Sequence, residues 1–214
     1  MIQRIILTVD EASRNEEIKD PQLPSARQRT EAYEEINNSD DEVFLSDLYD
    51  WYLAQGWNDR LLDIKTPFVI TYLRRKSTES ITHADLLWRY FARYNDFIEA
   101  AKVQLQLAKS GFDLSLQARL EYLSKAKTNA STRTVAAGAI GLSRQSRQEL
   151  VRDASDLLEI GNIQDDILQR MKSEPRLTAE RKPLVLQQLD GQILPVSDVC
   201  HKLMFIFNPV RLSY

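Results

Sequence analysis

Six glycines and seven prolines in 214 residues leave this chain few places to break a helix. Glycine and proline punctuate regular structure, glycine by its backbone freedom and proline by its missing N–H. Their scarcity leaves room for long helices and disfavours a turn-rich β fold. The apolar residues agree. Phe44, Leu48, Trp51 and Tyr52 recur at helical spacing, as do Phe97, Ala100, Ala101, Gln104, Leu105 and Ala108. No alternating run flanks an Asn-Gly or Asp-Gly turn. The expected fold class is all-α: an irregular α-solenoid of stacked antiparallel helix pairs. Residues 1–214 are expected to form a single segment of it, taken from a larger protein.

Boundary signals divide the chain. Residues 1–12 read as a short helix end, 13–25 (with Pro21 and Pro24) as a loop, and 26–37 as a polar helix. Together 1–41 form an acidic, partly loop-like N-terminal arm. Ser39-Asp40-Asp41-Glu42 matches a capping box, in which a hydroxyl and a glutamate satisfy orphan N–H groups reciprocally. It opens a helix over 42–55 that Gly56 ends, and a short helix follows over 58–65. Thr66-Pro67 opens 67–76, and proline at the first helical position loses no bond. Thr82 to Asp85 opens a helix with Leu87, Tyr90, Phe91 and Tyr94 inward. Asp113 caps another, to Lys127, with Leu116, Leu120 and Leu123 inward. Residues 128–147, rich in Thr, Ala, Gly and Ser, read as a flexible loop. Within it Ser146, with Glu149, forms a capping box for a long helix to Lys172. That helix turns Leu150, Ala154, Leu157, Ile160, Ile163, Ile167 and Met171 inward. Shorter helices are expected over 178–189 and 196–205.

Shifting the sequence by 37 residues aligns Trp51 with Trp88, Trp57 with Tyr94, Asn58 with Asn95, Asp59 with Asp96 and Leu61 with Ile98. That spacing lies within the roughly 20–50 residues of solenoid repeats. One helix pair cannot bury its apolar face alone, so pairs stack. A true repeat and a chance likeness between two helical hairpins both account for the echo.

Charge and chemistry narrow the function. The net charge is -3, against a general or sequence-specific nucleic-acid surface, which needs clustered Lys and Arg. Residues 1–42 hold eleven acids and five bases, the pattern of a solvated acidic arm. Cys200 is the lone cysteine, which fits a reducing compartment. No apolar run approaches the roughly 20 residues that span a bilayer. His83 and His201 are far apart, and neighbours such as Cys200-His201 or Asp165-Asp166 diverge by about 100° on a helix. Neither pair converges on a metal or forms a carboxylate site. Gly138-Ala139-Ile140-Gly141 lacks the lysine of a phosphate loop. No enzyme, cofactor, metal or catalytic residue is expected. The aromatics Trp51, Tyr52, Trp57, Trp88, Tyr90, Phe91, Tyr94 and Phe97 read first as core, with one or two available to line a partner groove.

Several motifs occur in a fixed order. They are Asp47-Leu48-Tyr49-Asp50-Trp51, Asp85-Leu86-Leu87-Trp88-Arg89-Tyr90, Ala100-Ala101, the run from Ser115 to Leu123, and Ile163-Gln164-Asp165-Asp166-Ile167-Leu168. In this order they resemble the C-terminal helical stack of the large non-repetitive inner-ring nucleoporins, the nucleoporin one-fifty-five/one-seventy family. The resemblance covers residues 43–172. It implies a structural scaffold subunit of the nuclear pore at the nuclear envelope, supporting nucleocytoplasmic transport. It also implies other nucleoporins as partners, including a linear segment of the autoproteolysed FG-repeat nucleoporin. The alternative is a helical-repeat adaptor or coat scaffold in membrane trafficking, since similar stacks serve both. The candidate partner-binding residues are Met204, Phe205 and Phe207, in the late apolar run Met204-Phe205-Ile206-Phe207.

Overall fold

A computed structural model of the chain describes residues 2–14, 23–132, 144–175, 177–195 and 197–199. Among them every regular element is helical. The helices are α1 (Ile2–Arg14), α2 (Pro24–Asn37), α3 (Glu42–Ala54), α4 (Asn58–Asp63), α5 (Pro67–Ser77), α6 (Ile81–Arg93), α7 (Phe97–Lys109), α8 (Leu116–Ser131), α9 (Arg144–Ser173) and α10 (Arg181–Leu189). Two compact units divide the chain at Tyr72 and Leu73, within α5.

In the first unit α1 packs on α2, and α3 on α4. Its centre is polar. Asp10 of α1 is 3% exposed and pairs with Arg29 Nε of α2 at 2.8 Å and Arg60 NH1 of α4 at 2.5 Å. Tyr33 donates its hydroxyl to Asp10 at 3.1 Å and accepts from Arg60. The acidic arm is therefore tied down by an internal charge. α3 buries Leu45, Leu48, Tyr49 and Tyr52. Tyr49 and Tyr72 meet edge to face at 5.2 Å, and the Tyr72 hydroxyl donates to Asp50 at 2.6 Å.

In the second unit consecutive helices pack in order, α6 on α7, α7 on α8, α8 on α9 and α9 on α10. This is the arrangement of stacked helix pairs. α8 serves two cores. Leu123 and Ala126 meet Leu105 and Ala108 of α7 and Ala154 of α9. Leu116 and Leu120 meet Leu168 of α9 and Val185 and Leu189 of α10. Side chains as large as these leucines each contribute about 1.5–3 kcal/mol when fully buried.

Several boundaries differ from expectation for identifiable reasons. Asp41, not Ser39, caps α3: its carboxylate accepts from the Val43 and Phe44 N–H groups at 3.0 Å. Ser39 Oγ instead accepts from the Asp41 N–H. Ser115, not Asp113, caps α8 by accepting from Ala118 N at 3.2 Å. Asp190, from beyond α10, accepts from the Leu116 N–H at 2.8 Å, a long-range cap that no local pattern reveals. α8 runs on to Ser131 and α9 begins at Arg144, so both ends of the segment expected as loop, 128–147, are helical. Ser146 and Glu149 therefore lie inside α9 rather than ahead of it. Residues 133–143, with the Gly138–Gly141 run, fall outside the described residues. In α9 Ile163 is 44% exposed rather than inward, and Gly161, Gln164 and Leu168 take the buried stripe.

The echo between helix pairs is real in geometry but runs at 39 residues, not 37. Gly56 (φ 73°) and Asn95 (φ 60°) each end a helix in the left-handed region. The next N–H in each reaches back five residues, Trp57 to Tyr52 O at 2.9 Å and Asp96 to Phe91 O at 2.8 Å. These are the two copies of one helix-ending motif. The same shift pairs buried Leu45 with Ala84, Leu48 with Leu87, Tyr52 with Phe91, and Leu61 with Ala100.

Candidate partner-binding groove

The second unit holds a groove of about 520 Å³. Its lining comes from the end of α5 and the turn after it (Ser77, Thr78), from α6 (Ala84), from α7 (Val103, Gln106, Leu107) and from the α7–α8 loop (Ser110, Gly111, Phe112). Ala84, Val103 and Leu107 are buried and make an apolar floor. Three rim hydroxyls are oriented by local carbonyls. Ser77 donates to Arg74 O at 2.8 Å, Thr78 to Arg75 O at 3.0 Å and Ser110 to Leu107 O at 2.7 Å. Each hydroxyl oxygen keeps acceptor capacity toward a ligand. No lining residue carries an acid, a base or a thiol. The groove can therefore hold a chain segment, with apolar side chains on the floor and polar contacts at the rim, but cannot supply general acid–base chemistry.

Arg119 fixes the loop side of this groove. It is 2% exposed, on the inner face of α8. Its NH1 donates to Ala108 O at 2.9 Å and Ser110 O at 2.8 Å, and its NH2 to Phe112 O at 2.7 Å. Carbonyls at a helix end lack helical partners, and one guanidinium satisfies those that follow α7. Burial pushes the Arg119 guanidinium below its ordinary value, opposed by the Asp113 charge.

A smaller cavity of about 300 Å³ lies in the first unit, lined by residues of the Asp10 network including Arg29, Tyr33, Tyr52 and Arg60. Burial works against the Asp10 charge, but the hydrogen bonds and charges of Arg29 and Arg60 outweigh it and hold the carboxyl below its usual range. Burial, and then the Asp10 charge, push the Tyr33 phenol up to about 12.

The ordered motifs are packing and capping elements. Leu48 and Tyr49, Leu86, Leu87 and Tyr90, Ala100 and Ala101, and Leu116, Leu120 and Leu123 are all buried. Asp85 accepts from Trp88 Nε1 at 2.7 Å and from the Tyr122 hydroxyl at 3.3 Å. None of the ten aromatics from Trp51 to Phe97 is exposed. His83 is half-buried rather than on the surface, and Asp165 accepts from Gln169 on the outer side of α9. Among the described residues no three His, Cys, Asp or Glu side chains cluster as metal ligands, and no helix is long and apolar enough to cross a membrane. Met204, Phe205 and Phe207 lie outside the described residues, as does the Cys200-His201 pair.

Sequence patterns overlooked Arg119 and Gln164, which hold the connections. Gln164 Nε2 donates to Leu189 O at 2.7 Å and Gln192 O at 3.0 Å, and its Oε1 accepts from Leu194 N at 2.8 Å. Arg119 is detectable by position, whereas the partners of Gln164 are 25 to 30 residues away. Arg119 stands in the apolar stripe Leu116, Leu120, Leu123, where a solvated cation does not belong.

The family of non-repetitive/WGA-negative nucleoporin C-terminal regions matches residues 1–208. The chain belongs to this family. Nucleoporin NUP170 of Chaetomium thermophilum is 48% identical over 175 residues, 82% of this chain and 12% of that protein. Nucleoporin NUP170 of Saccharomyces cerevisiae is 34% identical over 189 residues, 87% of this chain and 12% of that protein. The chain thus spans about an eighth of the length of these relatives. The crystal structure of the Chaetomium thermophilum Nup170 CTD–Nup145N complex aligns with a TM-score of 0.84 at 39% identity. The alignment covers 96% of this chain and 42% of that one. The resemblance of the ordered motifs and the all-α solenoid class both stand on these matches.

Proposed function

We propose that this chain is a scaffold segment of the nuclear pore inner ring, which it helps build by holding linear segments of other nucleoporins. The observation that carries this reading is the Nup170 CTD–Nup145N complex, whose CTD has the same fold across 96% of this chain. The groove between the α5 end and the α7–α8 loop is the place we assign to such a segment. Its apolar floor, polar rim and lack of titratable groups suit an extended peptide and no reaction. The protein is structural, not an enzyme, and acts at the nuclear envelope in support of nucleocytoplasmic transport. A disordered segment orders on binding and gives up part of its contact energy in doing so, so each link is modest and many together build a ring.

The test is localisation of the tagged full-length parent together with capture of Nup145N. Rim fluorescence at the nuclear envelope and retention of Nup145N support the reading. Decoration of vesicles with no Nup145N captured would point to a coat or adaptor scaffold instead.

A further inference from the structure

The turn that closes α5 carries a second signal. Arg74, Arg75 and Lys76 lie in the last turn of α5, which Ser77 ends, and Thr78 is the next residue, exposed and outside the helix. A hydroxyl with arginine three and four positions before it and lysine two before is the charge pattern read by basophilic protein kinases, whose acidic clefts select substrates by such cations. The last turn of a helix has unpartnered carbonyls and opens most readily, which gives an extended segment access to a kinase cleft.

We propose that Thr78 is a phosphoacceptor for a basophilic kinase and that its phosphate closes the groove to partner segments. The second half rests on the groove assignment above. In the transfer, Thr78 Oγ1 takes the γ-phosphoryl group of ATP. The new O–P bond forms as the bridging bond to the β-phosphate breaks, ADP leaves, and the hydroxyl proton passes to the kinase's base. Two consequences follow from position. Thr78 lines the groove, as does the loop held by Arg119, so a group carrying about -1.5 to -2 charge would stand beside the apolar floor of Ala84, Val103 and Leu107. The Thr78 hydroxyl also donates to Arg75 O at 3.0 Å. Phosphorylation removes that donor and sets an anion at a helix C-terminus, where the helix dipole disfavours it.

The experiment treats the 214-residue chain with the catalytic subunit of a cyclic-nucleotide-dependent, Arg-directed kinase and Mg-ATP. The site is mapped by mass spectrometry, and a Nup145N peptide is titrated by calorimetry before phosphorylation, after it, and after phosphatase treatment. The expected result is one phosphate on Thr78, absent in Thr78→Val and strongly reduced in Arg75→Gln. Peptide affinity falls on the order of tenfold and returns with phosphatase. Phosphate placed elsewhere, or none, overturns the acceptor assignment. Phosphate on Thr78 with unchanged peptide affinity overturns the closing role. If the untreated chain does not bind the peptide, the groove assignment fails and the closing role with it, while the phosphate map still decides whether Thr78 is the acceptor.

Discussion

Burying Asp10 to 3% exposure is unfavourable unless its charge is answered, and Arg29, Arg60 and Tyr33 answer it from two other helices. Its folded-state pKa lies below the ordinary 3.8. The stability it lends is therefore complete above that value and is lost as pH falls through the lowered one. Asp10→Ala leaves two guanidiniums without their shared partner and should cost about 2–3 kcal/mol in urea unfolding near neutral pH. The gap to the parent chain should shrink on titration below pH 4. An unchanged gap at low pH would contradict the assignment. Gly161 is a packing constraint of the opposite kind. A Cβ there would meet Leu120 Cδ2 at 2.5 Å, and Leu120 belongs to the core that α8 shares with α9 and α10. Gly161→Ala gains up to about 1 kcal/mol of helix propensity but overpacks by about 1–3 kcal/mol. A lowered Tm is the expected readout.

At the scale of elements, helices and their inward stripes were legible because burial follows the 3.6-residue period. Connections were less so. The α3–α4 and α6–α7 pairs share a left-handed helix end at Gly56 and Asn95, yet identity matching found a register of 37 rather than 39. Matching aromatics weighs side-chain identity, whereas the fold conserves buried positions and backbone geometry. Ile163 was misplaced because several apolar residues lie close along α9, and the buried stripe runs through Gly161 and Gln164, whose roles depend on distant residues. The Asp190 cap on α8, 74 residues away, has no local sign at all. Arg119 joins two elements in the same way. Arg119→Met should strand the carbonyls of Ala108, Ser110 and Phe112, cost about 2–3 kcal/mol, and raise amide hydrogen exchange across residues 108–114. Arg119→Lys, keeping charge but not the forked donor geometry, should fall between. Exchange unchanged in the methionine variant would show that the loop is held otherwise.

For the molecule as a whole, the sequence established an all-α scaffold lacking visible chemistry, and the ordered motifs carried the family. They marked packing, however, and so could not mark a binding surface: a groove assembled from the α5 end, α6, α7 and a loop has no contiguous signature. Met204, Phe205 and Phe207 lie outside the described residues, so their late apolar run stands as a separate candidate for a partner surface. Calorimetric titration of a Nup145N peptide into this chain and into Gln106→Trp tests the groove most directly. Gln106 is exposed on α7 and lines the groove, so a large indole there fills the space while leaving the core untouched. The account predicts binding by the parent chain and at least about a tenfold loss in the variant at unchanged Tm. Equal affinities for the two chains would place the partner elsewhere and contradict it.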